Sequence, residues 1–181
     1  MSTHTPHRGY TLLEMIVSLG IFSLVMVVVT GAYLTLISLD RQARGNNQLV
    51  ASLSFAVESM ARNIRTGTGY ACNGSSVSPN CVNGGTSFSF VDSQGQTITY
   101  FKKADGTIGQ CTGSCSEARA VSLTDPLITI QSLTFYVRGV GASDTVQPQA
   151  IFVIKGTMKT DTNKTTDFAI QTSATQRFID I

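Results

Sequence analysis

From Met15 to Leu39 no side chain carries a charge, and this uninterrupted apolar run limits what the chain can become more than any other feature. At 1.5 Å per residue its roughly 25 positions span about 37 Å as a helix, enough to cross a hydrocarbon core with tilt. Leu, Ile, Val, Met and Phe dominate it, interrupted by Ser18, Gly20, Ser23, Thr30 and Gly31, small residues that let helices approach closely. Ordinary membrane-helix composition accounts for Gly20 and Gly31 as well. One acid, Glu14, stands at the head of the run, and Arg8-Gly9 precedes it. A secretory signal peptide is cut after its apolar segment. Here the junction with the look of a cleavage site, Gly9-Tyr10, comes before it. Cleavage there leaves the apolar segment on the mature chain and places a new amine one helical turn from Glu14.

A carboxylate at mid-bilayer costs about 2.5–3.5 kcal/mol on insertion scales, and less near the interface, so an acid in such a segment has either a function or a partner. In a bundle of identical staggered helices, the amine of one subunit can sit against Glu14 of a neighbour and neutralise both charges away from water. The other reading is that Glu14, near the segment's end, snorkels to the headgroups. The first describes an assembled state and the second a lone subunit.

Arg8-Gly9 followed by Tyr10-Thr11-Leu12-Leu13-Glu14-Met15 resembles the class III signal of type IV prepilins and type II secretion pseudopilins. The short basic leader, the glycine, the aromatic residue after it and the glutamate five residues into the mature chain all fall in register. Tyr10 departs from the family's usual phenylalanine but keeps an aromatic ring. The resemblance implies that a membrane-embedded prepilin peptidase cuts after Gly9 on the cytoplasmic side and methylates the amine of Tyr10. Gly31 lies where many pilins have proline and where their helices loosen in a filament. Glycine weakens a helix by about 1 kcal/mol relative to alanine against about 3 for proline, which makes Gly31 a softening candidate only.

The positive-inside count does not settle orientation: Arg8 precedes the helix, whereas Arg41 and Arg44 follow it. Cys72, Cys81, Cys111 and Cys115 all lie beyond it, an even set suited to disulfides in an oxidising compartment. Leader and cysteines together place residues after the helix outside the cytoplasmic membrane. The local pairings are Cys72 with Cys81 and Cys111 with Cys115, each closing a glycine- and serine-rich loop; four cysteines allow three pairings in all. A zinc site competes, but the spacings are not paired CxxC and no histidine lies nearby.

From Asp40 to about Arg65 apolar residues fall at Leu49, Leu53, Ala56, Val57, Met60 and Ile64, the spacing of one buried helical stripe. Glu58, Arg62 and Arg65 stand off it. The expectation is one helix from about Tyr10 to Arg65, some 84 Å long, softened at Gly31 and at Gly45-Asn46-Asn47, with Gly67, Gly69 and the glycine-rich Cys72 to Gly85 stretch marking its end. Beyond it, Thr86 to Val91 and Thr97 to Phe101 flank Asp92-Ser93-Gln94-Gly95 as a hairpin, and Ala118 to Leu123 reads as a weaker strand. Leu133, Phe135 and Val137 alternate with Thr134, Tyr136 and Arg138, so three apolar side chains share one sheet face. Ala150 to Lys155 and Thr166 to Thr172, around a polar Thr160 to Thr165 turn, form a last hairpin. Roughly 115 residues suffice for one antiparallel sheet covering the amphipathic half-helix.

The expected class is therefore α+β and pilin-like: residues 1–9 a leader, 10–39 a transmembrane and assembly helix, 40–65 the amphipathic half of that helix, and 66–181 an extracytoplasmic antiparallel sheet domain. Arg62-Asn63-Ile64-Arg65, and Phe168-Ala169-Ile170-Gln171-Thr172 with Arg177, are similar to the minor pilins and J-type minor pseudopilins.

Enzyme chemistry has little to work with. The only histidines, His4 and His7, fall in the leader, so the mature chain lacks a histidine triad, a Cys-His pair and histidine metal ligands. Asp161-Thr162-Asn163 and Asp167 invite comparison with the calcium loop of some pseudopilins; without the EF-hand glycine and terminal glutamate, a solvated hairpin turn is the better reading. No cofactor is expected. Net charge is +2, and losing Arg8 leaves the mature chain near balance. Lys102-Lys103 and the Lys155, Lys159, Lys164 set lack interleaved aromatics, so nucleic acid is not an expected partner.

The expected function is a structural, minor subunit, cut after Gly9 and polymerised through its N-terminal helix into a type IV pilus or a type II secretion pseudopilus. Its expected partners are the prepilin peptidase, other pilin or pseudopilin subunits, the inner-membrane assembly platform and, before assembly, the lipid bilayer. The alternative is a single-pass anchor carrying an extracytoplasmic binding domain that never assembles.

Overall fold

The computed structural model describes residues 9–74, 80–141, 146–161 and 164–177. Among these residues one α-helix, α1 (Leu12–Thr66), precedes nine strands: β1 (Thr68–Cys72), β2 (Cys81–Gly85), β3 (Ser87–Val91), β4 (Thr97–Lys102), β5 (Ile108–Thr112), β6 (Val121–Ser122), β7 (Ile128–Arg138), β8 (Gln149–Asp161) and β9 (Lys164–Thr175). The chain divides into two compact units, Met1–Arg44 and Gly45–Ile181. The architecture is α+β and pilin-like, a long N-terminal helix followed by antiparallel sheets.

Helix geometry continues without a break through Gly31 and through Gly45-Asn46-Asn47. In the first unit it satisfies hydroxyl side chains of its own. Ser18 Oγ donates to the Glu14 carbonyl at 2.7 Å, Ser23 Oγ to Leu19 at 2.8 Å, Thr30 Oγ1 to Met26 at 2.7 Å and Thr35 Oγ1 to Gly31 at 3.0 Å. Hydroxyls bonded one turn back add no unpaired donor to an apolar surface.

In the second unit α1 buries Leu49, Leu53, Ala56, Met60, Ala61 and Ile64, the stripe that the spacing predicts. It ends where Gly67 N donates to the Ile64 carbonyl at 3.1 Å. A Cβ on Gly67 would overlap the Phe90 ring, so only glycine lets the chain leave the helix this close to the core.

The strands form two antiparallel sheets where the sequence reading had one: β1-β3-β4-β5-β6 and β2-β7-β8-β9. The difference arises in the glycine-rich stretch after the helix, which reads as loop by composition yet supplies β1 and β2, one edge of each sheet. β5 was not expected either, and Ala118 to Leu123 resolves into a single 3₁₀ turn (Glu117–Arg119) and the two-residue β6. The β3–β4 hairpin forms around Asp92, whose Oδ1 accepts from Gln94 N and Gln96 N, both at 2.8 Å. The last hairpin is longer than predicted, its arms reaching Asp161 and starting again at Lys164; Thr162 and Asn163 lie outside the described residues.

Both sheets and the helical stripe share one core. Leu133, Phe135 and Val137 all point into it, at most 3% exposed, while Arg138 faces out. Phe88 of one sheet stacks on Phe135 of the other with ring centroids 5.5 Å apart, and Tyr70 meets Phe88 edge-on at 5.3 Å. Contacts of this kind add about 0.5–1.5 kcal/mol beyond the area they bury. Tyr70 Oη donates to the Ile64 carbonyl at 2.6 Å, and Asn63 Nδ2 donates to Tyr100 Oη at 3.0 Å, tying the helix end to the first sheet. Cys72–Cys81 joins β1 to β2 and hence one sheet to the other, with Cα atoms 6.0 Å apart; Cys111–Cys115 closes a short loop after β5 at 5.5 Å.

Candidate functional site

The first turns of α1 begin with a cap. Thr11 Oγ1 accepts from Glu14 N at 3.3 Å, and Met15 N donates to the Thr11 carbonyl at 3.2 Å. Thr11 thus caps the helix from the N-cap position, within a Thr-x-x-Glu sequence of the capping-box type that puts glutamate at N3. The sequence reading missed Thr11, although Thr-x-x-Glu ahead of an apolar run is the signal for it. Glu14 sits in the first turn, where the positive end of the helix dipole favours an anion.

Tyr10, Glu14, Ser18 and Phe22 line one shallow groove of about 350 Å³ with Met15 and Leu19. Tyr10 is 83% exposed, and a side chain on Gly9 would meet nothing within 4 Å. Among the described residues, therefore, nothing in the packing requires glycine at position 9. Gly20 and Gly31 are equally unobstructed, consistent with surfaces open to a neighbouring helix. Arg8, His4 and His7 lie outside the described residues.

Leu12, Leu13, Ile16, Leu19, Phe22 and Leu24 are all more than half exposed. The helix is long and apolar enough to cross a membrane, and no part of its most apolar window is buried. A soluble core helix of this composition would be covered by its own chain. This one offers its apolar surface to lipid or to other helices.

Residues 5–30 match the prokaryotic N-terminal methylation motif. The chain carries the class III signal of type IV pilins and pseudopilins. No curated protein and no solved structure gives a significant match. A prepilin signal implies processing by a peptidase and assembly with other pilin-like subunits, and the bare apolar helix fits membrane anchoring of such a precursor. The pilin motif points to a structural protein.

Away from the helix start, Asp105 accepts from Thr107 Oγ1 at 2.6 Å, from Thr107 N at 2.9 Å and from Lys103 Nζ at 2.9 Å. The Thr107 bonds, and then Lys103, bring its carboxyl down to about 2. Lys103 Nζ also donates to Ser122 Oγ at 3.0 Å. This cluster pins the β4–β5 turn, and it engages Lys103 of the Lys102-Lys103 pair.

Proposed function

We propose that the chain is a structural, minor subunit of a type IV pilus or a type II secretion pseudopilus. It inserts in the cytoplasmic membrane as a single-pass protein with its sheet domain outside. Prepilin peptidase cuts after Gly9 and methylates the Tyr10 amine, and the inner-membrane assembly platform then polymerises the subunit through α1. The observation that carries this reading is an apolar helix bare of any intrachain cover, headed by one acid a turn from the Gly9-Tyr10 junction. In a filament the liberated amine of one subunit meets Glu14 of the next, which neutralises both ions and sets the stagger. Gly31 supplies a point at which the helix can loosen during packing.

Two substitutions test it. Gly9→Val adds a side chain where the described residues leave open space, so accumulation of uncut precursor reports peptidase recognition and not misfolding. Glu14→Gln removes the charge yet keeps a residue that serves at N3 of a capping box, so the helix start is preserved. The expected result is a normally processed subunit missing from sheared filaments or from the secretion complex. A chain that tolerates both changes is a plain membrane anchor.

A further inference from the structure

Among the described residues the two sheets have four edges, and three are protected. β1 is five residues long with a register irregularity between Thr68 and Ala71. β2 is also five residues, glycine-containing and held by the Cys72–Cys81 link. β6 has two residues. β9 differs: it runs for 12 residues, pairs with β8 on one side only, and from Phe168 to Thr175 contains neither a charge nor a proline. Proteins that stay monomeric guard such an edge with lysine, proline, bulges or a covering element, because its free N–H and C=O groups template another strand. An edge left this plain is suited to being covered by a partner strand.

Beside it lies a groove of about 740 Å³ between the last turns of α1 and β9. Val57, Ala61 and Ile170 give it an apolar floor. Arg65 and Arg177 stand at one end, held together by Arg177 N donating to the Arg65 carbonyl at 2.8 Å. Glu58, the one carboxylate among the lining residues, pairs with Arg62 at 3.3 Å. Among the described residues neither Arg65 nor Arg177 has a carboxylate partner.

We infer that this groove and the open edge of β9 form a strand-addition site for an extended segment, apolar with a carboxylate at one end, from a different subunit of the same filament. The backbone of the incoming strand pairs with β9, its inward side chains rest on Val57, Ala61 and Ile170, and its acid meets Arg65 and Arg177. In strand addition, main-chain hydrogen bonds supply affinity and alternate side chains supply specificity. The partner is a different subunit because the inference rests on the reading of this chain as a minor one.

The test uses the full-length chain in cells that assemble the filament, with benzoylphenylalanine in place of the exposed Thr175. After irradiation, mass spectrometry should map the adduct to an extended, acid-containing segment of another filament subunit. Its yield should fall about two- to five-fold in Arg65→Glu/Arg177→Glu and return in Arg65→Lys/Arg177→Lys, the size expected from an exposed charge pair. Cleavage after Gly9 and membrane levels should be unchanged in all variants, which guards against a folding defect. An adduct within the chain itself, to a second copy, to lipid or to nothing overturns the inference, as does a yield indifferent to charge reversal. Failure of the filament reading looks different: the wild-type chain itself is then missing from the sheared filament or secretion complex.

Discussion

Tyr70 shows how one hydroxyl holds two elements together. Its Oη is buried and donates to the Ile64 carbonyl at the end of α1, and burial pushes its pKa up to about 12. A folded-state pKa above the ordinary tyrosine value stabilises the fold fully below about pH 10, and that stabilisation is lost as pH rises through about 12. Tyr70→Phe should cost about 0.5–1.5 kcal/mol at neutral pH, because the Ile64 carbonyl keeps its bond from Gly67. It should also flatten the alkaline limb of a plot of unfolding midpoint against pH. An unchanged alkaline limb would mean that another group controls it. At this scale the sequence was informative where chemistry is local: Glu14 was legible from its isolation, whereas Tyr70 and Gly67 depend on partners that no local pattern reveals.

Among the elements, α1 was the most legible, since Leu49, Leu53, Ala56, Met60 and Ile64 repeat with helical period. The sheets were harder. β7 announced itself through Leu133, Phe135 and Val137, but β1 and β2 are rich in glycine and small polar residues and gain their strand geometry from pairing and from the Cys72–Cys81 link. That link spans 9 residues of sequence and joins two sheets, whereas Cys111–Cys115 spans 4 and closes a loop. Chain-entropy estimates differ little, about 2.5 against about 2 kcal/mol. The larger difference lies in what each holds. Cys72→Ser/Cys81→Ser should lower the urea midpoint more than Cys111→Ser/Cys115→Ser and loosen the near-ultraviolet signal of the buried rings, since Phe88 and Phe135 meet across the sheets it joins. Equal losses for the two pairs would assign Cys72–Cys81 no role between sheets.

At the scale of the whole molecule, the buried core residues among those described all lie in the second unit and none in the first. This division follows from composition: a helix apolar on every face has no side to show water and is solvated by lipid or by other helices. On the proposed reading, cleavage at Gly9-Tyr10 would turn such an anchor into a subunit, because it would create the amine that Glu14 meets. The mass of the native protein recovered from membranes and from sheared filaments, resolved to its N-terminal peptide, tests this most directly. The chain should begin at Tyr10 with a methylated amine and retain the whole of α1. A chain that still carries Gly9 at or near its start, or one that has lost the apolar helix, would contradict the account.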